Sequence, residues 1–547
     1  MKPDGSFEVR FDPPGRSAVV RAGATVMDAA VLCGVWIDAP CGGGGNCGKC
    51  RVRAGGNLAP PTGAEFEVIG AGELGEGFRL ACQAVVLGPV EVEPLAAPAW
   101  AGAKSGLGGE GAMAVDLPGV LETGPSGRPL GAAIDVGTTT LCASVLDLTD
   151  GSRLGIASSE NPQARFGADV MSRIERCSRD PGARDRMHRG VISSINGLLE
   201  EVTGSAGRLP GDLVRLVMVG NTTMVHLALG EDPSPLGTSP FETPVRGPVD
   251  VDPSDVGLEA APSARLLVPR VLSGFLGADI VACMLALGIS DSLETRMVVD
   301  LGTNGEIALG NRERLIACST AAGPAFEGAM ISSGMRAAPG AIEAFSRDGR
   351  LTPRVLGGGR PSGICGSGLL DCVAALLDAG LLLPSGRLLP PGEAQRIAPG
   401  RITGDAGQRE FHLAPGTGLS LGQEDIRQVQ LAKGAIRAGV DILCSSMGSD
   451  YGQVSRVYLA GVFGSFLKPS SAVAVGLLPH ALERRIEFAG NAALLGAEMM
   501  LASERQWSRA LKISREVEVA ELSGDPLFEK AFIESLSFPD NRTPKGV

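Results

Sequence analysis

The sequence reads Ala132-Ala133-Ile134-Asp135-Val136-Gly137-Thr138-Thr139-Thr140 in its first third and Arg296-Met297-Val298-Val299-Asp300-Leu301-Gly302-Thr303-Asn304-Gly305-Glu306 beyond its midpoint. Each stretch predicts an apolar β-strand that ends in Asp-x-Gly-Thr. Strand-like and helical stretches alternate from about residue 131 onward, which is typical of an α/β architecture. Because the same strand end recurs in two separate parts of the chain, we expect two duplicated halves.

The two Asp-x-Gly-Thr turns have the chemistry of a phosphate-binding site. Backbone N–H groups and hydroxyls in such turns reach phosphate oxygens, while a carboxylate holds Mg²⁺ directly or through water. We predict that Asp135 and Asp300 position Mg²⁺ and water. The predicted phosphate-binding residues are Gly137, Thr138, Thr139, Thr140, Gly302, Thr303 and Asn304. Two interpretations stay open for Glu306, which either orients a water molecule or is a surface or strand-end carboxylate.

Two further glycine-rich turns extend this pattern. The strand Val454–Leu459 runs into Ala460-Gly461-Val462-Phe463-Gly464, where Gly461 and Gly464 are predicted to contact adenosine, and Gly363-Ile364-Cys365-Gly366-Ser367-Gly368 precedes a helix. Together the motifs resemble those of the actin-like ATPase superfamily. That resemblance implies two ribonuclease-H-like lobes with ATP in the cleft. The alternative is that these are only tight glycine turns in an α/β sheet.

Four cysteines near the N-terminus form a separate motif, Cys41-x5-Cys47-x2-Cys50 followed by Cys82. A 2Fe-2S cluster needs four thiolates and N–H donors around its sulfides, and the glycines between Cys41 and Cys47 let the backbone supply those donors. Zinc sites usually show two close cysteine pairs, so zinc and unligated thiols are the weaker alternatives. The spacing resembles that of the ferredoxins in their longer-loop variant, which implies a β-grasp domain.

The remaining pattern divides the chain into four segments. We expect a 2Fe-2S ferredoxin-like domain over residues 1–95, a linker over 96–130, a middle domain over 131–210 and a large C-terminal actin-like ATPase domain over 211–547. The middle domain would hold the first actin-like strand unit. The predicted helices are 168–178, 187–202, 277–288, 366–379, 424–447 and 490–503, and residues 384–420 are predicted to form an insertion or irregular loop.

Composition restricts the classes of function. The net charge of −12 over 547 residues argues against bulk binding to nucleic acid or to an anionic membrane. The first six residues lack the apolar core of a signal peptide, and no run of about 18 uncharged apolar residues is present. We therefore expect a cytoplasmic protein whose twelve cysteines are thiols or metal ligands rather than disulfides.

The combination of a ferredoxin domain with an actin-like ATPase resembles the reductive activators of corrinoid proteins. Stretches similar to that family are Asn161-Pro162-Gln163, Phe166-Gly167-Ala168-Asp169-Val170, Gly220-Asn221-Thr222-Thr223-Met224 and Ala322-Gly323-Pro324-Ala325-Phe326-Glu327-Gly328. The resemblance implies ATP-dependent transfer of one electron from the 2Fe-2S cluster to Co(II) in a corrinoid methyl-transfer protein, which regenerates Co(I). It also implies an external low-potential electron donor, and it leaves a homodimer open.

Two other functions stay open at this point. One is a ferredoxin-linked ATPase that donates electrons to another low-potential acceptor, and the other is a small-molecule kinase with a redox-sensing ferredoxin domain. Two residues also have alternative interpretations. His226 is either a structural histidine or a cobalt-facing ligand, and Lys433 lies on a predicted helix face that is either solvated or packed between lobes, or contacts the nucleotide or a partner.

Overall fold

The computed structural model describes residues 6–12, 15–33, 35, 37, 45, 48, 50–94, 112–118, 124–180, 182–245, 247–346, 351–461 and 467–540. The chain divides into two compact units. The first comprises Met1–Ala97, Pro118–Val245 and Val249–Val268, and the second comprises Pro98–Leu117, Arg246–Pro248 and Pro269–Val547. None of the helices in these described ranges is both long and apolar enough to cross a bilayer.

The N-terminal part of the first unit is a five-stranded mixed sheet with the order β2-β1-β5-β3-β4. Its strands are β1 Ser6–Phe11, β2 Arg16–Arg21, β3 Arg51–Leu58, β4 Phe78–Leu80 and β5 Val86–Pro94, and its helices are α1 Val26–Leu32, α2 Gly63–Val68 and α3 Ala71–Gly75. Strands β1 and β5 pair in parallel, and Val9 and Phe11 of β1 are fully buried. Thr25 caps α1, since its hydroxyl accepts a bond from Asp28 N at 3.1 Å. This arrangement is the predicted β-grasp sheet crossed by one helix, with α2 and α3 added.

The rest of the first unit is a six-stranded sheet with the order β10-β11-β9-β6-β7-β8. Its strands are β6 Leu130–Val136, β7 Thr140–Asp147, β8 Arg153–Glu160, β9 Leu213–Gly220, β10 Val249–Val251 and β11 Arg265–Val268, and its helices are α4 Val170–Arg179, α5 Ala183–Ser205 and α6 Thr222–Leu229. Strands β6, β7 and β8 form an antiparallel meander, whereas β9 is parallel to β6 and β11 is parallel to β9.

The second unit contains a sheet with the order β22-β21-β12-β13-β14-β23 and two small three-stranded sheets. The main sheet is formed by β12 Thr295–Leu301, β13 Gly305–Gly310, β14 Leu315–Thr320, β21 Val454–Ala460, β22 Ile486–Gly490 and β23 Glu518–Val519. The small sheets are β15 Ala341–Phe345, β16 Pro353–Val355 and β17 Gly363–Ile364, and β18 Ile402–Thr403, β19 Glu410–His412 and β20 Ser420–Gly422. The helices are α7 Ala278–Ala286, α8 Gly366–Asp378, α9 Pro391–Ala394, α10 Gln423–Ser446, α11 Pro469–Ala474, α12 Ala492–Ala502, α13 Glu504–Glu516 and α14 Pro526–Ser535.

The two six-stranded sheets share a five-stranded core topology, which confirms the predicted duplication of ribonuclease-H-like halves, while their sixth strands, β10 and β23, lie at opposite edges. In each sheet the Asp-x-Gly-Thr strand, β6 or β12, begins an antiparallel three-stranded meander on one side. On the other side it pairs in parallel with a later strand, β9 or β21, which in turn pairs in parallel with β11 or β22. Each aspartate therefore lies at the end of a central strand, next to the hairpin turn of its meander.

The predicted boundary between residues 210 and 211 falls inside one sheet. Strand β9 begins at Leu213 and pairs with β6 over its whole length, so the two flanking segments belong to the same compact unit. That unit continues to Val268, because strands β9 and β11 follow the long helix α5 in the sequence. The compact unit that contains this sheet therefore ends at Val268.

The segments expected to be irregular contain short ordered elements. Within the expected linker, Asp116 forms a parallel bridge with Ser503, and Asp116 N donates to Ala502 O at 2.9 Å. Within residues 384–420, helix α9 precedes strands β18 and β19, whose sheet is completed by β20.

Candidate nucleotide and iron–sulfur sites

The first Asp-x-Gly-Thr turn closes the hairpin between β6 and β7. Gly137 N donates to Thr140 O at 3.0 Å, and a Cβ atom at Gly137 would lie only 2.6 Å from that oxygen. Thr138 and Thr139 form the tip of the turn. Asp135 lies at the carboxyl end of β6, in register with Val219 of β9 and Cys142 of β7. The predicted residues of this half therefore come together at one strand end.

Two buried side chains hold the first turn from inside the protein. Asn161 Nδ2 donates to Gly137 O at 2.8 Å, and Asn161 N donates to Thr139 O at 2.8 Å. Arg173 Nη2 donates to Thr138 O at 2.6 Å, and both side chains are fully buried. All three carbonyl groups of the turn are thus directed into the protein, which leaves them turned away from an anionic ligand.

Arg173 was missed by sequence reasoning, although a signal for its position exists. Asp169 caps helix α4 through a bond from Ser172 N at 2.8 Å, which places Arg173 in the first turn of that helix. Arg173 Nε also donates to Gly167 O at 3.0 Å. The stretches 161–163 and 166–170, quoted above for their family likeness, therefore support the first turn.

The second turn, between β12 and β13, has a different set of neighbours. Gly302 N donates to Asn304 O at 3.1 Å, within the turn itself. Thr303 is 2% exposed, and its hydroxyl donates to Glu327 Oε1 at 3.0 Å. The predicted phosphate contact at Thr303 thus already has a carboxylate partner, and Glu327 is a further site residue that the motif alone did not identify.

Asp300 and Glu306 face each other across β12 and β13. Directly opposite residues of an antiparallel pair project from the same face of the sheet with Cβ atoms about 4.5–5.5 Å apart. Burial raises the pKa of Asp300 to about 6, with a small opposing effect from the Cys283 thiol, 3.9 Å from Oδ2. Glu306 is only 6% exposed, so it is a buried strand-end carboxylate rather than a surface one.

Gly461 follows the last residue of β21 and closes this site from the side. Its φ is +88°, and a Cβ atom there would lie 2.8 Å from Asp300 Oδ1 and 2.9 Å from Leu301 O. The glycine is therefore required for close approach to Asp300, which is a role that the sequence did not predict. Gly366 is buried in the first turn of α8, and Gly464 lies outside the described residues.

Of the four predicted cluster ligands, the structure describes Cys50 and Cys82, whereas Cys41 and Cys47 lie outside the described residues. The Sγ atoms of Cys50 and Cys82 lie 3.2 Å apart, well beyond the ~2.05 Å of a disulfide. Ala81 N donates to Cys50 O at 2.8 Å, which fixes the two segments side by side. Two glycines of the loop, Gly45 and Gly48, have φ values of +75° and +69°. Two adjacent thiols, together with two glycines in the left-handed region, fit a 2Fe-2S cluster.

A buried ion pair supports the segment that carries Cys82. The fully buried Glu65 accepts bonds from Arg79 Nε at 2.8 Å, from Leu80 N at 3.0 Å and from Thr62 N at 2.8 Å. Burial alone would raise the pKa of Glu65, but the bonds from Arg79 and the backbone outweigh it and hold that pKa below its usual range. The carboxylate therefore ties α2 to the strand that precedes the fourth ligand.

His226 and Lys433, whose roles the sequence left open, both make structural contacts. His226 is fully buried, with Nδ1 2.7 Å from Thr222 O and Nε2 3.2 Å from Thr243 Oγ1, and burial lowers its pKa. Lys433 donates to the carbonyl groups of Ser535 and Ser537 behind α10, so it packs against the C-terminal segment.

Three family models match consecutive parts of the chain. The 2Fe-2S iron-sulfur cluster binding domain matches residues 9–87, the RACo middle region matches residues 130–292, and the C-terminal domain of RACo, the ASKHA domain, matches residues 294–545.

Relatives of known activity match most of the chain. The corrinoid activation enzyme RamQ of Eubacterium limosum is 33% identical over 421 residues, which cover 75% of this chain and 70% of that protein. The Co(II) methylated amine-specific corrinoid protein reductase of Methanosarcina barkeri is 27% identical and covers 69% of this chain and 70% of its own. The solved structure of a reductive activator for a corrinoid, iron-sulfur protein superposes with a TM-score of 0.70 at 28% identity, covering 97% of this chain and 98% of its own.

Proposed function

The chain belongs to the family of reductive activators of corrinoid proteins, and we propose that it uses ATP to drive one electron onto the Co(II) of a corrinoid methyl-transfer protein, regenerating Co(I). One observation carries this proposal. A single chain combines the Cys50–Cys82 thiol pair of a ferredoxin-type sheet with two ribonuclease-H-like sheets that each end in an Asp-x-Gly-Thr turn.

The requirement for ATP follows from redox energetics. When bound, a plant-type 2Fe-2S cluster supplies one-electron transfer near −400 mV. Co(I) lies at still lower potential, and each ~59 mV of deficit costs about a factor of ten in a one-electron equilibrium. ATP can offset such a deficit only if it binds two conformations of the protein with different affinity. A domain movement that accompanies nucleotide binding would provide such a pair of states.

We assign the roles of individual residues within this proposal. Cys41, Cys47, Cys50 and Cys82 would hold the cluster, and the adjacent sulfurs of Cys50 and Cys82 could be ligands to the same iron. Mg²⁺ usually takes one or two carboxylates together with phosphates and water, and Asp135 and Asp300 fill that role. The phosphate contacts are Gly137, Thr138, Thr139, Thr140, Gly302, Thr303 and Asn304. Glu306 orients the water that attacks ATP, and Gly366, Gly461 and Gly464 line the nucleotide.

Three further parts of the proposal concern the setting of the reaction. Electrons reach the chain from an external low-potential donor, the active species is a homodimer, and the protein works in the cytoplasm. The ten described cysteines form no disulfide among themselves, which fits a reducing compartment. Sedimentation of the holoprotein tests the dimer, since a single monomeric species at micromolar concentration would contradict it.

The experiment that tests the function is anaerobic mixing of the holoprotein with a Co(II) corrinoid methyl-transfer protein. Co(I) is followed by its absorption with and without ATP, in the presence of a chemical reductant. We expect Co(I) only when ATP is present. Co(I) formation that is independent of ATP, or ATP-dependent reduction of a different acceptor in place of cobalt, would contradict the proposal.

A matched pair of cysteine variants isolates the role of the cluster. Cys82→Ser should abolish Co(I) formation and lower the iron content. Cys33→Ser should leave both unchanged, because the Cys33 thiol donates to Ala29 O at 3.2 Å and lies outside the ligand motif. Equal loss in the two variants would show that the effect is not specific to the cluster.

A further inference from the structure

A short 3-10 helix, Pro162–Phe166, lies directly behind the first phosphate turn. Asn161 caps this helix by accepting a bond from Gln163 N at 2.9 Å. The same residue holds the carbonyl groups of Gly137 and Thr139, as described above. A movement of the turn therefore has to move the start of the helix, since one fully buried side chain is bonded to both.

Arg165 lies near the other end of that helix, and part of its hydrogen-bonding capacity is unused. Its side chain is 12% exposed, and its guanidinium carbon lies 4.5 Å from the centre of the Phe166 ring. Among the described residues, Nε and Nη1 are buried and have no hydrogen-bond partner. Its counter-charge is Asp28, whose Oδ1 lies 3.7 Å from Nη1. The neighbouring Arg186 is already paired with Asp180.

Asp28 belongs to helix α1 of the ferredoxin-like domain. Its Oδ2 accepts bonds from Thr25 N at 2.9 Å and from Thr25 Oγ1 at 2.8 Å, so its other oxygen is the one directed at Arg165. The start of α1 is bonded in turn to the loop of the fourth cluster ligand. Val26 N donates to Ala84 O and Met27 N donates to Ala81 O, each at 2.9 Å, on the two sides of Cys82.

We propose that the Arg165–Asp28 ion pair is the contact through which nucleotide binding at the first turn reaches the Cys82 loop. The proposal rests on the assignment of residues 137–140 to the nucleotide, made above as part of the proposed function. The pair is the one ionic step in an otherwise hydrogen-bonded series from the Gly137 carbonyl through Asn161 to the Ala81 carbonyl. Leaving two buried guanidinium donors unbonded is costly, so an arrangement of Arg165 that satisfies them would compete with this one, and two discrete arrangements are what coupling between sites requires. Arg165 and Asp28 are thus positioning residues.

Hydrogen exchange on the anaerobic holoprotein measures this coupling directly. In the wild-type protein, ATP should change the exchange of peptides covering the turn at 137–141 and also of peptides covering α1. In Arg165→Gln, the turn should still respond to ATP, whereas the response of α1 should fall by roughly fivefold or more, the lower range of typical allosteric coupling. Asp28→Asn should do the same, because its amide oxygen can keep the bond from Thr25 while the charge is lost.

Three further variants separate coupling from a merely structural effect. Arg165→Lys keeps a cation above the Phe166 ring and should restore the α1 response. Arg186→Gln removes the other arginine near that ring and should leave the α1 response intact. The double variant of Arg165→Gln and Asp28→Asn should behave like either single variant, because both break one contact.

The outcomes distinguish this inference from the function on which it rests. An unchanged α1 response in Arg165→Gln, or additive losses in the double variant, would overturn the coupling and leave ATP-dependent Co(I) formation untouched. An α1 response equally lost in Arg186→Gln would overturn it as well. If the turn at 137–141 failed to respond to ATP in the wild-type protein, the nucleotide assignment itself would be overturned, and the coupling with it.

Discussion

Replacing Gly461 by alanine should slow ATP hydrolysis roughly 100-fold by displacing the carboxylate of Asp300. The φ of Gly461 is +88°, and an L-residue in this left-handed region costs roughly 1–2 kcal/mol. The added Cβ would also lie 2.8 Å from Asp300 Oδ1 and 2.9 Å from Leu301 O. The Leu301 oxygen belongs to a paired strand, so the Asp300 side chain is the group that has to move.

Gly448→Ala is the matched control for backbone strain. Gly448 has a φ of +62° just beyond α10, and nothing lies within 4 Å of a Cβ atom built there. Both variants carry the cost of roughly 1–2 kcal/mol. At roughly 2–4 °C per kcal/mol for a domain of this size, the control should lose about 2–8 °C in melting temperature. Gly461→Ala should lose more, since the collision is added to the strain.

The assay is a thermal melt combined with steady-state ATPase measurement on both variants and the wild-type protein. We expect Gly448→Ala to retain nearly wild-type hydrolysis. Gly461→Ala should lose roughly 100-fold, which is the effect of misplacing a reacting group by about 1 Å. Equal ATPase rates in the two variants would refute the placement of Asp300 at the reacting site. Equal melting temperatures would refute the collision inferred from the geometry.

Three more predictions concern other parts of the site. Asp300→Asn should raise the melting temperature at about pH 8 but not at about pH 4. The pKa of Asp300 is raised to about 6, so the folded protein loses stability as pH rises through that value and the buried carboxyl ionises. A gain that is the same at both pH values would contradict this prediction. Glu65→Gln should lower the free energy of unfolding by about 3–5 kcal/mol in a denaturant titration, and lower the iron content, because it leaves Arg79 buried and unpaired. Glu73→Gln breaks the exposed ion pair with Arg51 and should cost less than about 1 kcal/mol in the same titration. Arg173→Gln should weaken ATP binding by roughly tenfold or more in an equilibrium titration, the value of one charged hydrogen bond; unchanged affinity would show that the turn does not depend on it.

The features that sequence predicted well are local ones. The two hairpins follow from an apolar run that meets a glycine turn, although the partner of the aspartate lies seven positions later in the first hairpin and six positions later in the second. Helices α8 and α10 begin within one residue of their predicted starts because their apolar periodicity and the glycines before them are local signals. The trio of cysteines in the cluster motif is also a local signal, and its role in holding the cluster stays a prediction.

The features that sequence did not predict depend on residues far apart in the chain. Arg173 reaches a carbonyl 35 positions earlier, and Glu327 meets a threonine 24 positions earlier. The domain boundary was misplaced for the same reason, since only strand pairing assigns β9 to the sheet of β6. For Thr303, the motif predicted a phosphate contact but gave no sign of the carboxylate that competes for its hydroxyl.

The duplicated halves have diverged in the charge that surrounds their matching turns. Behind the first turn lie the amide of Asn161 and the cation of Arg173, and the residue across from Asp135 is Cys142. At the second turn the residue across from Asp300 is Glu306, and Glu327 is bonded to the next threonine. Donors and a buried positive charge favour an anion, while clustered carboxylates favour a metal ion and an activated water. On the proposed nucleotide assignment, the first half would hold the phosphates, and the second half would hold the metal ion and the attacking water. The ion pair of Arg165 connects the cluster domain to the holding half, so electron transfer would respond to whether nucleotide is bound rather than directly to the chemistry at Asp300.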